Sequence, residues 1–351
     1  MLKKLLFATL FVITAFVVGG FLLPDEYHVE RSVVVERPAS VVFALLNSYK
    51  SFNQWSPWAA RDPGAQYVFS GPEDGPGAKM SWKGDPRTLG EGWQEITRSE
   101  PNRRIEIYLD FGEQGIARSY YAIKEMPVAE TADDNQFKTE VSWGFNTNVS
   151  EGKGIFGALM GRYFGLLLDK WVGADYQQGM SAFKQFAETL PATDFTGSRI
   201  EIVTAEAAEI LFVSGISSQD ASDIAQALGT AFAEIGSFMT ENDIQINGQP
   251  MAITRSWDEN GYRFDAALPV DQVPEVVTGN VQSGFSPAGK AVRYTHVGPY
   301  DAMLPAYEEL ASFMVANGLK EGPISWEHYI SDPGDTLEAE IITHIYFLIE
   351  E

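Results

Sequence analysis

The chain has 351 residues, which is enough for two ordinary domains, each with its own core. Its composition, 45% hydrophobic and 13% aromatic, is typical of globular domains, and the absence of cysteine excludes disulfides, thiol catalysis and cysteine-ligated metals. The net charge of −23 would repel the phosphates of nucleic acid, so DNA binding is disfavoured and high solubility is the simplest interpretation.

The N-terminal segment has the pattern of a membrane anchor. Lys3 and Lys4 precede an uncharged run from Leu5 to Leu23, and the first acidic residue is Asp25. As a helix this run would span roughly 28 Å, close to the hydrocarbon thickness of a bilayer. A cleaved signal peptide is the alternative, but the run lacks an Ala-x-Ala-like site. We expect an uncleaved anchor at residues 1–24, with its lysines cytoplasmic and the rest of the chain extracytoplasmic, which means periplasmic in a bacterium.

The next region alternates strand patterns with turn residues and ends in a long helical pattern. A strand pattern at Tyr27–Val35 is followed by a short helix at Val41–Asn47. Six further strand candidates are Ala65–Ser70, Lys79–Lys83, Gly90–Ser99, Arg104–Phe111, Ala117–Lys124 and Lys138–Phe145. Ile155–Leu190 has helical periodicity with a broad apolar face. These elements predict an α+β domain in which an antiparallel sheet wraps around one long terminal helix.

Val33–Leu46, the Trp55 and Trp58 pair, Ser99–Arg104 and the terminal helix follow one another in this region. In this order they resemble the START-like (SRPBCC, polyketide cyclase/dehydrase) superfamily over about residues 28–190, and we place that domain at residues 25–190. It implies a helix-grip fold whose cavity, between sheet and helix, holds lipids or other apolar molecules. It implies no catalytic residue. Six tryptophans could line such a cavity or form an ordinary core, namely Trp55, Trp58, Trp82, Trp93, Trp143 and Trp171.

A turn-rich linker at residues 191–198 leads to a region with an internal repeat. Ala231–Met239 returns 75 positions later as Ala306–Met314, with five of the nine residues identical. Two copies indicate a pseudo-twofold domain with a seam, built from a duplicated β-α-β-β unit. The first copy is predicted at Ile200–Val203, Glu209–Ser214, Ala221–Met239, Ala252–Trp257 and Tyr262–Leu268. The second is predicted at Lys290–Val297, Ala302–Asn317, Ser325–Ser331 and Glu338–Ile349.

Three motifs follow one another in the second copy, at His296–Tyr300, Glu327–Tyr329 and Glu338–Thr343. With them, residues 199–351 resemble the GyrI-like small-molecule-binding domain, the effector-binding half of AraC- and MerR-type regulators. It implies two pseudosymmetric halves around an aromatic-lined pocket, with Glu327 inside the pocket and in contact with cationic ligands. Some relatives without a DNA-binding domain are hydrolases of reactive small molecules that use this glutamate with a tyrosine.

Glu327 departs from the symmetry of the repeat. The offset of 75 pairs it with Ala252, and alignment of the nearby prolines pairs it with Thr254; neither partner is charged. A carboxylate on one half alone is not needed for folding. If it is buried, desolvation raises its pKa, which suits either cation binding or general acid/base chemistry. The alternative is an exposed edge-strand glutamate, which is common in so acidic a chain.

The predicted ligand-binding residues are Glu327, Tyr294, Tyr300, Tyr329, Tyr346 and Trp257. If the chain is an enzyme, Glu327 would act as general acid/base with Tyr294 or Tyr300. The histidines His296, His328 and His344 have strand spacings and read as structural, so we predict neither a metal nor another cofactor.

Two functions fit the sequence. The first is a membrane-anchored protein that binds apolar, amphipathic or cationic small molecules in aromatic-lined pockets, and the second is a hydrolase that uses Glu327. Transcription regulation does not fit, because no helix-turn-helix precedes the GyrI-like region and the chain is acidic. The small molecule and the membrane are therefore the expected partners, without nucleic acid.

Overall fold

The computed structural model describes residues 2–127 and 137–350, which fall into two compact units, Met1–Asp194 and Phe195–Glu351. Met1 of the predicted anchor, residues 128–136 of the START-like region and Glu351 lie outside the described residues. Each unit has an antiparallel sheet, and the N-terminus is an apolar helix. The predicted α+β class with two domains after an N-terminal apolar helix is confirmed.

The first unit begins with α1 (Leu2–Leu22), whose apolar side chains are mostly exposed. The segment Lys3–Leu22 has a mean hydropathy of 2.5 and is long and apolar enough to cross a membrane, and a signal sequence would have the same features. The other α-helices of this unit are α2 (Ala39–Leu46), α3 (Phe52–Trp55), α4 (Pro57–Arg61), α5 (Ile155–Gly165) and α6 (Leu168–Ala187).

The sheet of the first unit has seven strands in the order β1-β7-β6-β5-β4-β3-β2. Their bounds are β1 (Glu26–Val35), β2 (Gln66–Ser70), β3 (Lys79–Lys83), β4 (Glu91–Glu100), β5 (Arg104–Asp110), β6 (Ile116–Glu125) and β7 (Thr139–Asn148). The single long helix predicted at Ile155–Leu190 is wrong, because the helix breaks at Leu166–Leu167. The two parts have different partners: α5 contacts α1, whereas α6 packs along β1.

Aromatic side chains fill the space between this sheet and α6. Trp143 stacks on Tyr176 at 3.9 Å between ring centroids, and Trp55 meets Trp143 and Phe183 edge to face. Trp55, Trp82 and Trp143 are buried, Trp58 and Trp93 are half-buried, and Trp171 is exposed. Beside this core a cleft of about 380 Å³ opens between α3, α4 and α6.

The second unit is an eight-stranded sheet in the order β12-β9-β11-β10-β14-β15-β13-β8, with α7 (Ala221–Glu241) and α8 (Leu304–Ala316). The strands are β8 (Ile200–Ala205), β9 (Glu209–Ser217), β10 (Met251–Asp258), β11 (Gly261–Pro269), β12 (Gln282–Phe285), β13 (Gly289–Val297), β14 (Glu321–Tyr329) and β15 (Ile342–Ile349). The predicted duplication is confirmed: β9-α7-β10-β11 and β13-α8-β14-β15 fold alike, and β10 and β14 meet at the centre.

Two details of the prediction for this unit are wrong. The strand at Ile200–Val203 does not pair within the first copy but with β13 of the second copy, while β12 takes the matching place beside β9. Glu338–Glu340 forms a turn of 3-10 helix, so the last strand begins at Ile342. Each half of the sheet therefore has four strands, and its edge strand, β12 or β8, comes from the part of the chain outside its own β-α-β-β unit.

The register at the centre places Glu327 on the pseudo-twofold axis. Along β10 and β14 the opposed pairs are Met251 with His328, Ala252 with Glu327 and Ile253 with Trp326. Residues 75 positions apart are equivalent in the nine-residue helical repeat, and the same offset applied to β10 and β14 makes Ala252 and Glu327 equivalent. In an antiparallel pair of equivalent strands, the axis passes where equivalent residues oppose each other. Ala252 and Glu327 are that pair.

Candidate ligand-binding site

Two tyrosine hydroxyls bind the carboxylate of Glu327. The hydroxyl of Tyr307, on α8, donates a short hydrogen bond to Oε1. The hydroxyl of Tyr329 donates to Oε2 at 2.8 Å. Because alternate residues of a strand share a face, Glu327 and Tyr329 point to the helix side of the sheet, and Trp326 and His328 point to the other side. The carboxylate is thus held between the sheet and α8.

The site draws residues from both halves of the repeat. Tyr329 meets Phe232 of α7 edge to face at 6.2 Å and Tyr300 at 5.7 Å. Tyr262 of β11 is buried, and the charge of Glu327 helps to raise the pKa of its hydroxyl, after burial itself. The walls are therefore aromatic, with Phe232 and Tyr262 from the first half and Tyr300 and Tyr329 from the second.

Phe232 and Tyr307 occupy equivalent positions in the nine-residue repeat. They lie on α7 and α8 on either side of the axis, yet Tyr307 alone carries a hydroxyl, and that hydroxyl binds Glu327. The asymmetry of Glu327 is therefore matched by a second asymmetric residue that donates to it.

Burial raises the pKa of Glu327, while the hydrogen bonds from Tyr307 and Tyr329 and the proximity of His296 lower it in part. Burial beside this carboxylate in turn raises the pKa of Tyr307 and Tyr329 well above the ordinary value. Protein atoms surround Glu327 closely, and yet the residue keeps an intermediate solvent exposure. Among the residues that the structure describes, no basic side chain forms an ion pair with Glu327.

Two family models match the chain in sequence order. Residues 26–188 match the model described as "polyketide cyclase / dehydrase and lipid transport", and residues 198–350 match the "GyrI-like small molecule binding domain". The chain joins a polyketide cyclase-like domain to a GyrI-like domain. Both descriptions are of domains that take small molecules or lipids. No curated protein sequence matches the chain at a significant level.

Solved structures similar to part of the chain include regulators and a hydrolase. The match to an EcmrR–DNA complex has 18% sequence identity and a TM-score of 0.40, and it covers 57% of this chain and 74% of the EcmrR chain. The EcmrR C-terminal domain is 20% identical over 44% of this chain and 98% of its own, with a TM-score of 0.39. A hydrolase from Listeria innocua is 16% identical over 48% of this chain and 98% of its own, with a TM-score of 0.34.

The GyrI-like domain brings two of the predicted aromatic residues to Glu327. Tyr329 binds the carboxylate, and Tyr300 packs on Tyr329 while remaining 37% exposed. Trp257 is 56% exposed and reaches the site indirectly, through its contact with Tyr262 at 5.3 Å.

The other two predicted tyrosines do not contact Glu327. Tyr346 pairs in register with Trp326 and stacks on it at 4.8 Å, so strand alternation places it on the opposite face of the sheet. Tyr294 shares the face of Glu327, but β15 lies between them, which separates the two strands by about 10 Å. Its hydroxyl donates to Glu309 at 3.1 Å, and burial and Glu309 raise the pKa of Tyr294 to about 12.

Sequence reasoning missed Tyr307, Phe232 and Tyr262. The repeat itself contained the signal for the first two, because its second position is Phe232 in one copy and Tyr307 in the other. Tyr262 carries no comparable signal, since its place beside the carboxylate depends on the order of the strands in the sheet.

The histidines do not assemble a metal site with acidic residues. Over residues 2–127 and 137–350, no group of three or more His, Asp or Glu side chains is arranged to hold a metal ion. His328 and His344 lie on the face opposite Glu327, where burial and the neighbouring His344 lower the pKa of His328 to about 4. His296 is buried and its Nε2 lies 3.1 Å from the carbonyl oxygen of Pro299, next to the turn that bears Tyr300.

Proposed function

We propose that the chain is a membrane-anchored small-molecule-binding protein whose GyrI-like domain takes a hydrophobic cation at Glu327. The observation that carries the proposal is a carboxylate on the pseudo-twofold axis, among aromatic side chains, which accepts hydrogen bonds from two tyrosine hydroxyls and forms no ion pair among the described residues. We take the partly exposed space beside Glu327, between Tyr300, Tyr329 and Phe232, as the binding cleft. The family description of this domain, a small-molecule-binding domain, supports the same function.

The chemistry of the cleft favours a cation over a neutral or anionic ligand. An ionised carboxylate in a desolvated place is costly unless a positive charge compensates it, and two neutral hydroxyls do so only in part. A cation would supply the missing charge. Its apolar groups would meet the rings of Tyr300, Tyr329 and Phe232, which also attract a cation through their faces.

The N-terminal helix supports a location at a membrane. α1 has the length and hydropathy of a membrane span, and the domains that follow it would then be held at one membrane face. Hydrophobic cations partition to membrane surfaces, so a tethered domain would meet its ligand at a high local concentration. We propose that this face is extracytoplasmic, because the lysines that precede the span favour the cytoplasmic side.

Calorimetric titration of the full-length protein in detergent tests the proposal. Tetraphenylphosphonium serves as the hydrophobic cation and triphenylphosphine oxide as a neutral compound of similar shape. We expect the cation to bind at least roughly tenfold more tightly, a difference of about 1.4 kcal/mol, and Glu327→Gln to abolish that preference. The exposed residue Glu308 provides the matched control on α8, and Glu308→Gln should bind like the wild type.

A cleft that binds both compounds equally, or a preference that survives Glu327→Gln, would contradict a site built on the charge of Glu327. A preference lost equally in Glu308→Gln would show that the overall acidity of the chain, and not the cleft, attracts the cation.

Hydrolysis of a reactive small molecule is the second candidate function. The raised pKa of Glu327 and its hydrogen bond from Tyr307 suit the transfer of a proton to or from a bound compound. The tyrosine in this arrangement is Tyr307, rather than Tyr294 or Tyr300. Incubation of bound ligands with wild type and Glu327→Gln, followed by mass spectrometry, separates the two functions: turnover by the wild type alone, with ligand still bound by the variant, would identify an enzyme.

A further inference from the structure

One face of α5 is apolar and exposed. Phe156, Met160 and Phe164 are spaced four residues apart, so they share one side of the helix, and their exposed fractions are 75%, 44% and 53%. The face continues past the break into α6, where Trp171 is 44% exposed and its ring lies 4.8 Å from that of Phe164. Contiguous exposed apolar side chains of this kind mark an interaction surface.

The opposite sides of α5 are fully used in packing. Leu159 is buried and, with Tyr163, packs on α1. On a third side two glycines lie against the sheet, where a Cβ on Gly161 would come within 2.2 Å of the Val149 carbonyl oxygen and one on Gly165 within 2.0 Å of the Tyr27 ring. The orientation of α5 is therefore fixed, and Phe156 and its neighbours cannot turn inward.

The contact with α1 fixes the position of this face along the candidate membrane span. Tyr163 stacks on Phe16 at 4.4 Å and donates a hydrogen bond to its carbonyl oxygen, while Gly20 admits Leu159 and Tyr163 so closely that a Cβ there would lie 2.3 Å from Leu159. Phe16 and Gly20 belong to the last two turns of α1. At a rise of about 1.5 Å per residue they lie within about 10 Å of its end, in the outer part of the acyl-chain region next to the headgroups.

The polar groups around α5 suit the same boundary. Arg162 forms an ion pair with Asp25, the first acidic residue after α1, and its guanidinium lies 5.4 Å from the Phe21 ring. Lys153 and Lys170 are exposed just before α5 and next to Trp171, and the exposed acidic residues Glu151 and Asp169 lie beside them in the chain. Aromatic residues flanked by basic ones are the usual composition of helices that lie in a membrane interface.

We propose that α5 and the start of α6 form a second membrane-contacting element, which lies in the interface at the C-terminal end of α1 and inserts Phe156, Met160, Phe164 and Trp171 among the lipids. The inference rests on the membrane anchoring in the proposed function and is independent of the ligand. Because α5 packs on α1 and both helices expose apolar side chains, the bilayer that receives α1 would also be within reach of this face of α5. Such an element would hold the polyketide cyclase-like domain in one orientation on the bilayer.

Site-specific fluorescence in bilayers tests this inference, because the chain contains no cysteine and accepts a single labelled one. The full-length protein is reconstituted into phosphatidylcholine vesicles with an NBD label at Phe156→Cys, Met160→Cys or Phe164→Cys. Phe11→Cys, near the middle of α1, reports the span. Phe69→Cys is the matched control, an exposed phenylalanine on β2, at the sheet edge opposite β1.

Nitroxides near the headgroup end and near the methyl end of the acyl chain serve as shallow and deep quenchers. At the three α5 positions we expect the shallow nitroxide to reduce fluorescence by about half and to act more strongly than the deep one. The deep nitroxide should act more strongly at Phe11→Cys, and neither should act at Phe69→Cys.

Quenching at Phe11→Cys without quenching at the α5 positions would overturn the inference and leave the anchor intact. Absence of quenching at all positions would overturn both the anchor and the inference. A blue-shifted α5 label that lipid nitroxides do not quench would show that a second copy of the chain covers the face, and would also overturn it. Equal quenching at Phe69→Cys would indicate non-specific adsorption and would count against it as well.

Discussion

Replacement of Glu327 by glutamine should stabilise the protein at neutral pH while it removes cation binding. The amide would keep the shape of the side chain and can still accept a hydrogen bond from Tyr307 or Tyr329. What the variant loses is the desolvated charge. An incompletely compensated buried polar or charged group costs on the order of 1–3 kcal/mol, and the weaker hydrogen bonds of the amide offset part of the gain.

The net gain should be about 1 kcal/mol at neutral pH, which corresponds to a melting temperature higher by about 2–4 °C for a domain of this size. The sign depends on pH. Well below the ordinary pKa of a glutamate, the carboxyl is protonated in both the folded and the unfolded chain. As the pH rises from that value through the raised pKa of Glu327, the unfolded chain loses the proton first, and the wild type loses stability relative to the variant.

Thermal melting of wild type, Glu327→Gln and the exposed control Glu308→Gln, measured from pH 4 to pH 8 in the same detergent, checks this prediction. The gap between wild type and Glu327→Gln should be small at the acid end and open as the pH rises, while Glu308→Gln follows the wild type. A Glu327→Gln protein that melts below the wild type across the whole range would show that the charge of Glu327 stabilises the fold, and the site would lose its functional rationale.

The remaining predictions concern the hydroxyl of Tyr307, the core of the first unit and the opposite face of the second. Tyr307→Phe copies the first half of the repeat and removes a donor to Glu327, so the pH midpoint of cation binding, followed by calorimetry, should move upward, whereas Tyr294→Phe should leave it unchanged. Trp143→Ala should cost about 3–5 kcal/mol in urea unfolding, because it empties the centre of an aromatic core; a loss below about 1 kcal/mol would contradict that packing. The pKa of His328 is about 4, below the ordinary value of 6.5, so at intermediate pH the unfolded chain takes up a proton that the folded chain does not. The free energy of unfolding should therefore decrease as the pH falls from 6.5 toward 4, and urea unfolding of His328→Phe should lack that decrease.

Much of the fold could be predicted because its signals are local or repeated. The strand patterns and turns of the first unit lie where the structure has them, and the repeat of Ala231–Met239 identified the duplicated architecture. The break at Leu166–Leu167 could not be predicted, because the apolar run Phe164–Leu168 continues across it without a proline or a polar residue. What separates α5 from α6 is the difference in their partners, α1 and β1, which helical periodicity does not show.

The site was harder to predict than the fold, for a reason that Tyr346 and Tyr294 illustrate. Both tyrosines lie on strands near Glu327 in the sheet, but whether a residue reaches the carboxylate depends on register and strand order. Register puts Tyr346 beside Trp326 on the wrong face, and strand order puts β15 between Tyr294 and Glu327. A shift of one residue in the register of β15 against β14 would have moved Tyr346 to the face of Glu327.

The position of Glu327 on the pseudo-twofold axis also explains why a duplicated domain carries this carboxylate once. A residue on the axis touches both halves, so one side chain can serve the whole cleft, with Tyr307 on one side and Phe232 on the other. A strictly symmetric pair would place a second glutamate at Ala252, directly opposite the first. Opposed residues in an antiparallel pair have Cβ atoms about 5 Å apart, and two carboxylates at that distance in a desolvated place cannot both stay ionised. Loss of symmetry at Ala252 therefore leaves the site with one carboxylate and avoids this repulsion, which fits the single positive charge of the proposed ligand.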